Sequence, residues 1–300
     1  MISRLQERLG RFGWSIADLL DRDAPGGLGV PGVISSNGCC RLVRCRDGWI
    51  ALNLSRPDDW DLVPALTNNG GNGWSSIVSW ACGQDVEEVL HRGVELHLPL
   101  SVVGEAEPQT LPPSDGDYVP RKVVDLSALW AGPLCAALLR LSGAQVVRIL
   151  SVGRPDPTPN ASPQLDRRIN SGKTLLALDL RTQQGREALL REVADADVLV
   201  TSARPAALMR LGLGIRGIVP PRWVAISAHG FAGRGGCRVG FGDDCAAAGG
   251  LLTWRGDQPL FRGDALADPL TGLEGALAVL SGATGLIDMA MSRVAAAYAR

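Results

Sequence analysis

Between residues 122 and 227 the chain alternates two textures. Short apolar runs, KVVDL (122–126), AQVVRIL (144–150), TLLALDL (174–180), DVLVTS (197–202) and RWVAIS (222–227), are rich in β-branched residues. Between them lie AGPLCAALLRLSG, GREALLREVADA and PAALMRLG, whose apolar positions recur at helical spacing. Strands interleaved with helices predict an α/β fold, a doubly wound, Rossmann-like parallel sheet. Two more helices are expected over 243–252 and 269–280. Upstream the pattern differs. Residues 1–20 read as helical and 26–32 (GGLGVPG) as a flexible loop. CRLVRC and WIALNL flank a DG turn and predict a hairpin, with helices around 60–66, 74–82 and 86–96. PQTLPPSDGDYVP (108–120) holds four prolines and reads as a linker. The expected organisation is a small α+β domain with a leading helix (1–107), the Pro-rich linker (108–120) and the Rossmann-like domain (121–300).

Composition narrows the function classes. An apolar share of 46% supports a substantial core, and a formal net charge of −1 without a basic block argues against a nucleic-acid partner. The longest candidate spans, 126–139 and 62–84, are too short or too polar for a membrane, so no membrane partner is expected. Seven cysteines include no CxxC pair and no histidine at zinc-like spacing. That predicts reduced thiols, a cytoplasmic chain and no metal. No secretion signal is recognised in MISRLQERLGRFGW.

Ligands of doubly wound sheets bind at the carboxyl ends of the strands, which directs attention to the loop SALWAGP after KVVDL. It lacks GxGxxG, so a dinucleotide is not expected. SGKT (171–174) is not a phosphate loop, because Arg167 stands where the first glycine is required. Arg148, Arg154, Arg167, Arg168, Lys173 and Arg210 lie near predicted strand ends or helix starts, where they are either scattered surface cations or a phosphate-binding set. His91 and His97 read as surface residues, and His229 as a structural histidine. Asp243 and Asp244 read as helix caps. Asp268, in ALADPLTGLEGALAVL, has two readings. It is an N-cap before Pro269, or a poorly solvated, reactive carboxylate, with Thr271 and Glu274 forming a separate T-x-x-E capping box.

The ordered segments VVDLSALWAGPLCAALLRLSGAQVVRI, INSGKTLLALDL, ARPAALMRLGLG, WVAISAHGFAG, GFGDDCAAAGGLL, ALADPLTGLEGALAVL and GATGLIDMAM resemble the family III CoA-transferases, the group that includes formyl-CoA and carnitine CoA-transferases and α-methylacyl-CoA racemase. The resemblance implies a CoA-transferase acting on an acyl-CoA and a carboxylic acid, with coenzyme A as carried group. It implies that Asp268 is the nucleophile and that a covalent aspartyl-CoA forms. An aspartate at that helix start would be held ionised by the helix amides. By the same resemblance Leu129, Trp130 and Ala131 contact CoA beside the nucleophile, and Arg148, Lys173, Ala203, Ala207 and Arg210 line its groove. The chain departs from the family at Leu150, Ser151, Thr174, Ser202 and Ala203, which leaves a weakened CoA-binding relative as an alternative. Phe241 stands where the racemases use histidine, which disfavours the racemase alternative. The family's small domain follows its sheet. Here the matching text comes first, so the resemblance implies a circular permutation or derivation from a tandem fusion, and it implies a homodimer.

Overall fold

The structure, a computed structural model, describes residues 1–214 and 217–300. The small domain carries an antiparallel sheet of β1 (Cys40–Arg44), β2 (Trp49–Asn53) and β3 (Leu100–Val102) in that order. β1 and β2 form the predicted hairpin, with Leu42 opposite Ala51. One face of the sheet is closed by short helices, which bury Val43, Ile50, Leu52, Leu66, Ile77 and Val89.

The large domain is built on six parallel strands. They are β4 (Lys122–Leu126), β5 (Gln145–Ser151), β6 (Thr174–Leu178), β7 (Val198–Thr201), β8 (Arg222–Ser227) and, after an antiparallel hairpin of β9 (Leu252–Arg255) and β10 (Gln258–Phe261), β11 (Gly285–Ala290). Across the sheet they run β11-β8-β7-β4-β5-β6. This is the doubly wound order, and the winding reverses between β4 and β7. Ala128 N–H donates to Ser202 Oγ at 3.0 Å across that reversal.

Two helices on one face place the candidate site. Ala131–Leu141 follows β4, and Ala267–Leu280 precedes β11. Both are almost wholly buried, because each is sandwiched between the sheet and further helices rather than showing a polar face to water. They approach closely through glycine. A methyl group on Gly272 would lie 2.6 Å from the Ala131 carbonyl oxygen, and one on Gly275 would lie 3.2 Å from Cys135 Sγ. That register makes the helices run the same way with their N-terminal ends together.

The alternating core was legible as a sheet, but several expectations change. The helix expected over 243–252 spans Gly242–Ala248 and stops at Gly249 and Gly250, the latter at φ +69°. The β9–β10 hairpin and strand β11 were not anticipated. Residues 1–20 break at Gly13 into the helices Ile2–Leu9 and Ile16–Leu20. Leu5, Leu9, Phe12 and Leu19 join the large domain's core instead of the small one's. The proline-rich segment is a bound strap: Gln109 N–H donates to Arg293 O (3.2 Å), and Tyr118 N–H to Leu280 O (3.0 Å). The first helix lies beside the last, Met291–Ala299, with Arg4 donating to Ala297 O, and Arg8 reaches Glu274 of the Ala267–Leu280 helix. The small sheet docks on Gly242–Ala248 through Leu42, Ala51, Ala247 and Phe261. Among the described residues no helix is long and apolar enough to cross a membrane.

Candidate active site

Asp268 sits in the first turn of Ala267–Leu280, one residue inside the helix rather than at its cap. The N-cap is Leu266, and no side chain caps the end. The expected Thr271–Glu274 capping box is not formed. Both residues are fully buried inside the helix; Thr271 Oγ1 has no partner, and Glu274 is bound by Arg8 and Tyr298. Asp268 is half-buried at this helix start, with no side chain capping it, so its surroundings decide what it does.

Those surroundings are a ring of charge. Gly242 lies against Asp268 Oδ2, and a methyl group there would also fall 2.5 Å from the Ala265 carbonyl oxygen. Only glycine lets the Gly242 amide face the carboxylate at that range. Ala265 adopts φ +45°, a costly conformation for a residue with a side chain. Its N–H donates to Asp243 Oδ1 at 2.8 Å, and Asn37 Nδ2 donates to Asp243 Oδ2 at 3.1 Å. Asp243 therefore holds the strained approach to Asp268 instead of capping its own helix. Asp244 does cap, accepting from Phe241 N–H at 2.9 Å. Arg22 forks onto Asp264, with Nη2 to Oδ1 at 2.9 Å, and its guanidinium lies 5.7 Å from the centre of the Trp130 ring.

Burial raises the Asp268 carboxyl to about 7, opposed by Arg22 and assisted by Asp243 and Asp264. Asp243 is raised to about 6, by burial and then by Asp264. Asp244 is raised to about 8, mainly by burial. The Gly242 amide favours the anion, as expected of a helix-start amide, but burial opposes it and moves the carboxyl above the ordinary carboxylate range.

The loop opposite is equally constrained. Leu129 has φ +66° and is exposed, while Trp130 and Ala131 are buried at the neighbouring helix start. Leu129 N–H donates to Asp156 Oδ2 at 3.1 Å, and Thr158 Oγ1 to Leu129 O at 3.4 Å. Asp156 is in turn held by Arg148 Nη2 at 2.6 Å. Arg148 Nη1 and Lys173 Nζ both reach Asp125 Oδ2, at 3.0 and 2.9 Å. Burial would raise the Asp125 carboxyl, yet the Lys173 and Arg148 cations hold it below its usual value. Lys173 also donates to Pro133 O and Asn170 Oδ1. Arg148 and Lys173 therefore brace the loop from beneath, with their head groups already engaged. The six cations take different roles. Arg168 donates to the Asp21 carbonyl, while Arg154, Arg167 and Arg210 stay exposed. Ala203 is half-buried in the core beneath β7, and Ala207 is exposed on Pro205–Arg210.

His91 and His97 are exposed, as expected. His229 lies where the domains meet, with Nε2 3.3 Å from Ser101 Oγ, and burial drives it down to about 3. His229, Asp244 and Cys245 bring three ligand-type atoms within 4.8 Å of one another. Each is engaged by protein: Asp244 by Phe241 and Asn53, Cys245 by the Ala228 carbonyl, and His229 by Ser101.

Four residues of the site were not anticipated: Arg22, Asn37, Gly242 and Asp264. Asp264 carried a signal, standing four residues before Asp268 and so one helical turn away if the pattern continued. Arg22, in LLDRDAP, carried none.

A family model for CoA-transferase family III matches residues 121–288, and the chain belongs to that family. It is 30% identical over 187 residues to an acyl-CoA transferase of Fusarium pseudograminearum, covering 55% of this chain and 41% of that protein. It is 32% identical over 191 residues to a succinyl-CoA–D-citramalate CoA-transferase of Chloroflexus aurantiacus (56% and 46%). A formyl-CoA:oxalate CoA-transferase of Afipia carboxidovorans is 29% identical over 175 residues (53% and 41%). The chain thus spans less than half the length of these curated relatives. Among solved structures, a CaiB/BaiF family protein from Brucella suis matches with TM-score 0.54 and 27% identity, covering 61% of this chain and 55% of that one. A hypothetical protein from Mycobacterium tuberculosis matches with TM-score 0.53 and 27% identity (62% and 57%).

Proposed function

We propose that this chain moves CoA from an acyl-CoA to a carboxylic acid, with Asp268 as the covalent nucleophile. The observation that carries the reading is the placement of Asp268. It is a partly buried carboxylate where two helix starts converge, beside the strained loop Leu129–Ala131. An Asp268 oxygen attacks the thioester carbon, and CoA thiolate leaves a mixed anhydride. The thiolate then attacks the Asp268 carbonyl carbon, releasing the donor acid and forming aspartyl-CoA. The acceptor carboxylate attacks that thioester, expelling the thiolate again. The thiolate takes the acyl group from the second anhydride and restores Asp268. A covalent carboxylate divides one difficult exchange into easier ones. A basic carboxylate is the better nucleophile once ionised, and a raised pKa places that ionisation near neutrality.

In this reading CoA lies across the carboxyl ends of β4 and β7. It touches Leu129, Trp130 and Ala131 near its sulfur and Ala203, Ala207 and Arg210 further out, with Arg148 and Lys173 shaping the groove. The relatives named above support CoA thioesters and carboxylic acids as the substrate class. Hydroxylamine or borohydride trapping with a panel of acyl-CoAs, followed by peptide mass spectrometry, tests it. The expected label is on Asp268 and is lost in Asp268→Asn; activity retained by that variant overturns the reading.

A homodimer and a circular permutation belong to the same proposal. The order of the elements, with the small antiparallel sheet ahead of the six-stranded parallel one, supports the permutation. One observation favours a second reading, a CoA-binding relative with weakened catalysis: Arg148 and Lys173 have no free donor fork for phosphate. Calorimetry separates the two readings. CoA binding with no trapped intermediate under any donor selects the second.

A further inference from the structure

The match to the family begins at residue 121, yet the candidate centre takes a charged residue from far upstream. Arg22 follows the second leading helix, whose Leu19 is packed into the large domain's core. Its side chain is largely buried, with 19% exposed, and two fixed groups hold it. Nε and Nη2 fork onto the Asp264 carboxylate, and the guanidinium lies over Trp130, the residue that opens the Ala131–Leu141 helix. Asp264 and Trp130 belong to the two segments that converge on Asp268. A planar guanidinium suits such a place, because it accepts a bidentate carboxylate on its edge and an aromatic ring on its face.

We propose that Arg22 is the positioning residue of this centre: clamped between Asp264 and Trp130, it supplies the positive charge against which the Asp268 carboxylate is generated and held. The inference deepens the nucleophile reading and rests on it. The charged and titratable groups close enough to act electrostatically on Asp268 are Arg22, Asp243 and Asp264, together with the Cys245 thiol, and Asp244 acts on Asp243. Arg22 is the cation of the set. Asp264 neutralises part of it and keeps it from closing into a tight pair with Asp268, which would quench the nucleophile. The one other charged residue of the Ala267–Leu280 helix, Glu274, is already paired with Arg8 of the first helix. The leading segment is in this way part of the active centre as well as of the core.

The test reads Asp268 directly. Carboxyl 13C NMR of aspartate-labelled free protein, with Asp268→Asn used for assignment, gives the ionisation midpoint of Asp268 without any turnover. Arg22→Gln is expected to raise that midpoint by more than about one pH unit, and Arg22→Lys to keep it within about half a unit. Asp264→Asn is expected to lower it. The ascending limb of kcat/KM against pH should shift with the midpoint in each variant. If Arg22→Gln does not fold, Arg22→Met, uncharged and apolar for a largely buried position, carries the same measurement. An unchanged midpoint in a folded, neutral Arg22 variant overturns the proposal. Failure of the nucleophile reading shows separately, as activity in Asp268→Asn, and leaves the NMR result intact.

Discussion

At Asp268 two demands conflict. The proposed nucleophilic role at neutral pH needs an anion, while burial near Asp243 and Asp264 favours the acid. A carboxyl raised to about 7 in the folded chain, against an ordinary value of 3.8, stabilises the fold only while it stays protonated. That contribution is complete below pH 3.8 and is lost as pH rises through 7. Asp268→Asn is therefore expected to abolish transfer and yet to stabilise the protein at pH 8 by an amount on the order of 2 kcal/mol, allowing for partial exposure. The gain should vanish near pH 4, which denaturant titrations at the two pH values will read. Transfer by the wild-type chain should rise through a limb near pH 7.

Among the elements, the strand and helix pattern of 122–227 was legible because each element repeats its own period with little interruption. β9, β10 and β11 escaped notice for a physical reason. LTWR and QPLF are four-residue strands with mixed polarity, and the exposed first half of β11 lacks a continuous apolar run. The brace beneath the Leu129 loop was out of reach too. Asp125, Arg148, Asp156 and Lys173 come from four separate segments, and only the register of β4 on β5, with Asp125 opposite Arg148, brings them together. Deleting one member of a buried ion cluster strands the others. Lys173→Met is expected to destabilise the domain by about 3 kcal/mol. It should also raise KM for acyl-CoA more than it lowers kcat, because Asp125 and Arg148 no longer fix Asp156 and the Leu129 turn. Chemical denaturation and steady-state kinetics check the two halves of that expectation.

Across the whole molecule, the leading segment ties the ends of the chain together. Arg8 reaches Glu274 and the Pro112 carbonyl, and Tyr298 donates to the same Glu274. Burial pushes the Glu274 carboxyl up, while Arg8 and Tyr298 pull it back without fully offsetting the shift. Arg8→Ala is expected to cost about 3–5 kcal/mol, by leaving that carboxylate buried and unpaired, and Arg8→Ala with Glu274→Gln should recover part of the loss. Thermal melts of the two variants provide the check.

The amino-acid sequence by itself determined the alternation that makes a doubly wound sheet and the small hairpin domain ahead of it. It also placed the aspartate before the last long helix, because these are local periodicities and an ordered set of short motifs. Tertiary structure alone decided the state of that aspartate. Its ionisation depends on how much water reaches it and on which charges stand across from it. Those charges, Arg22 from one end of the chain and Asp243 and Asp264 from the other, become neighbours only when the leading helices pack against the sheet's covering helices.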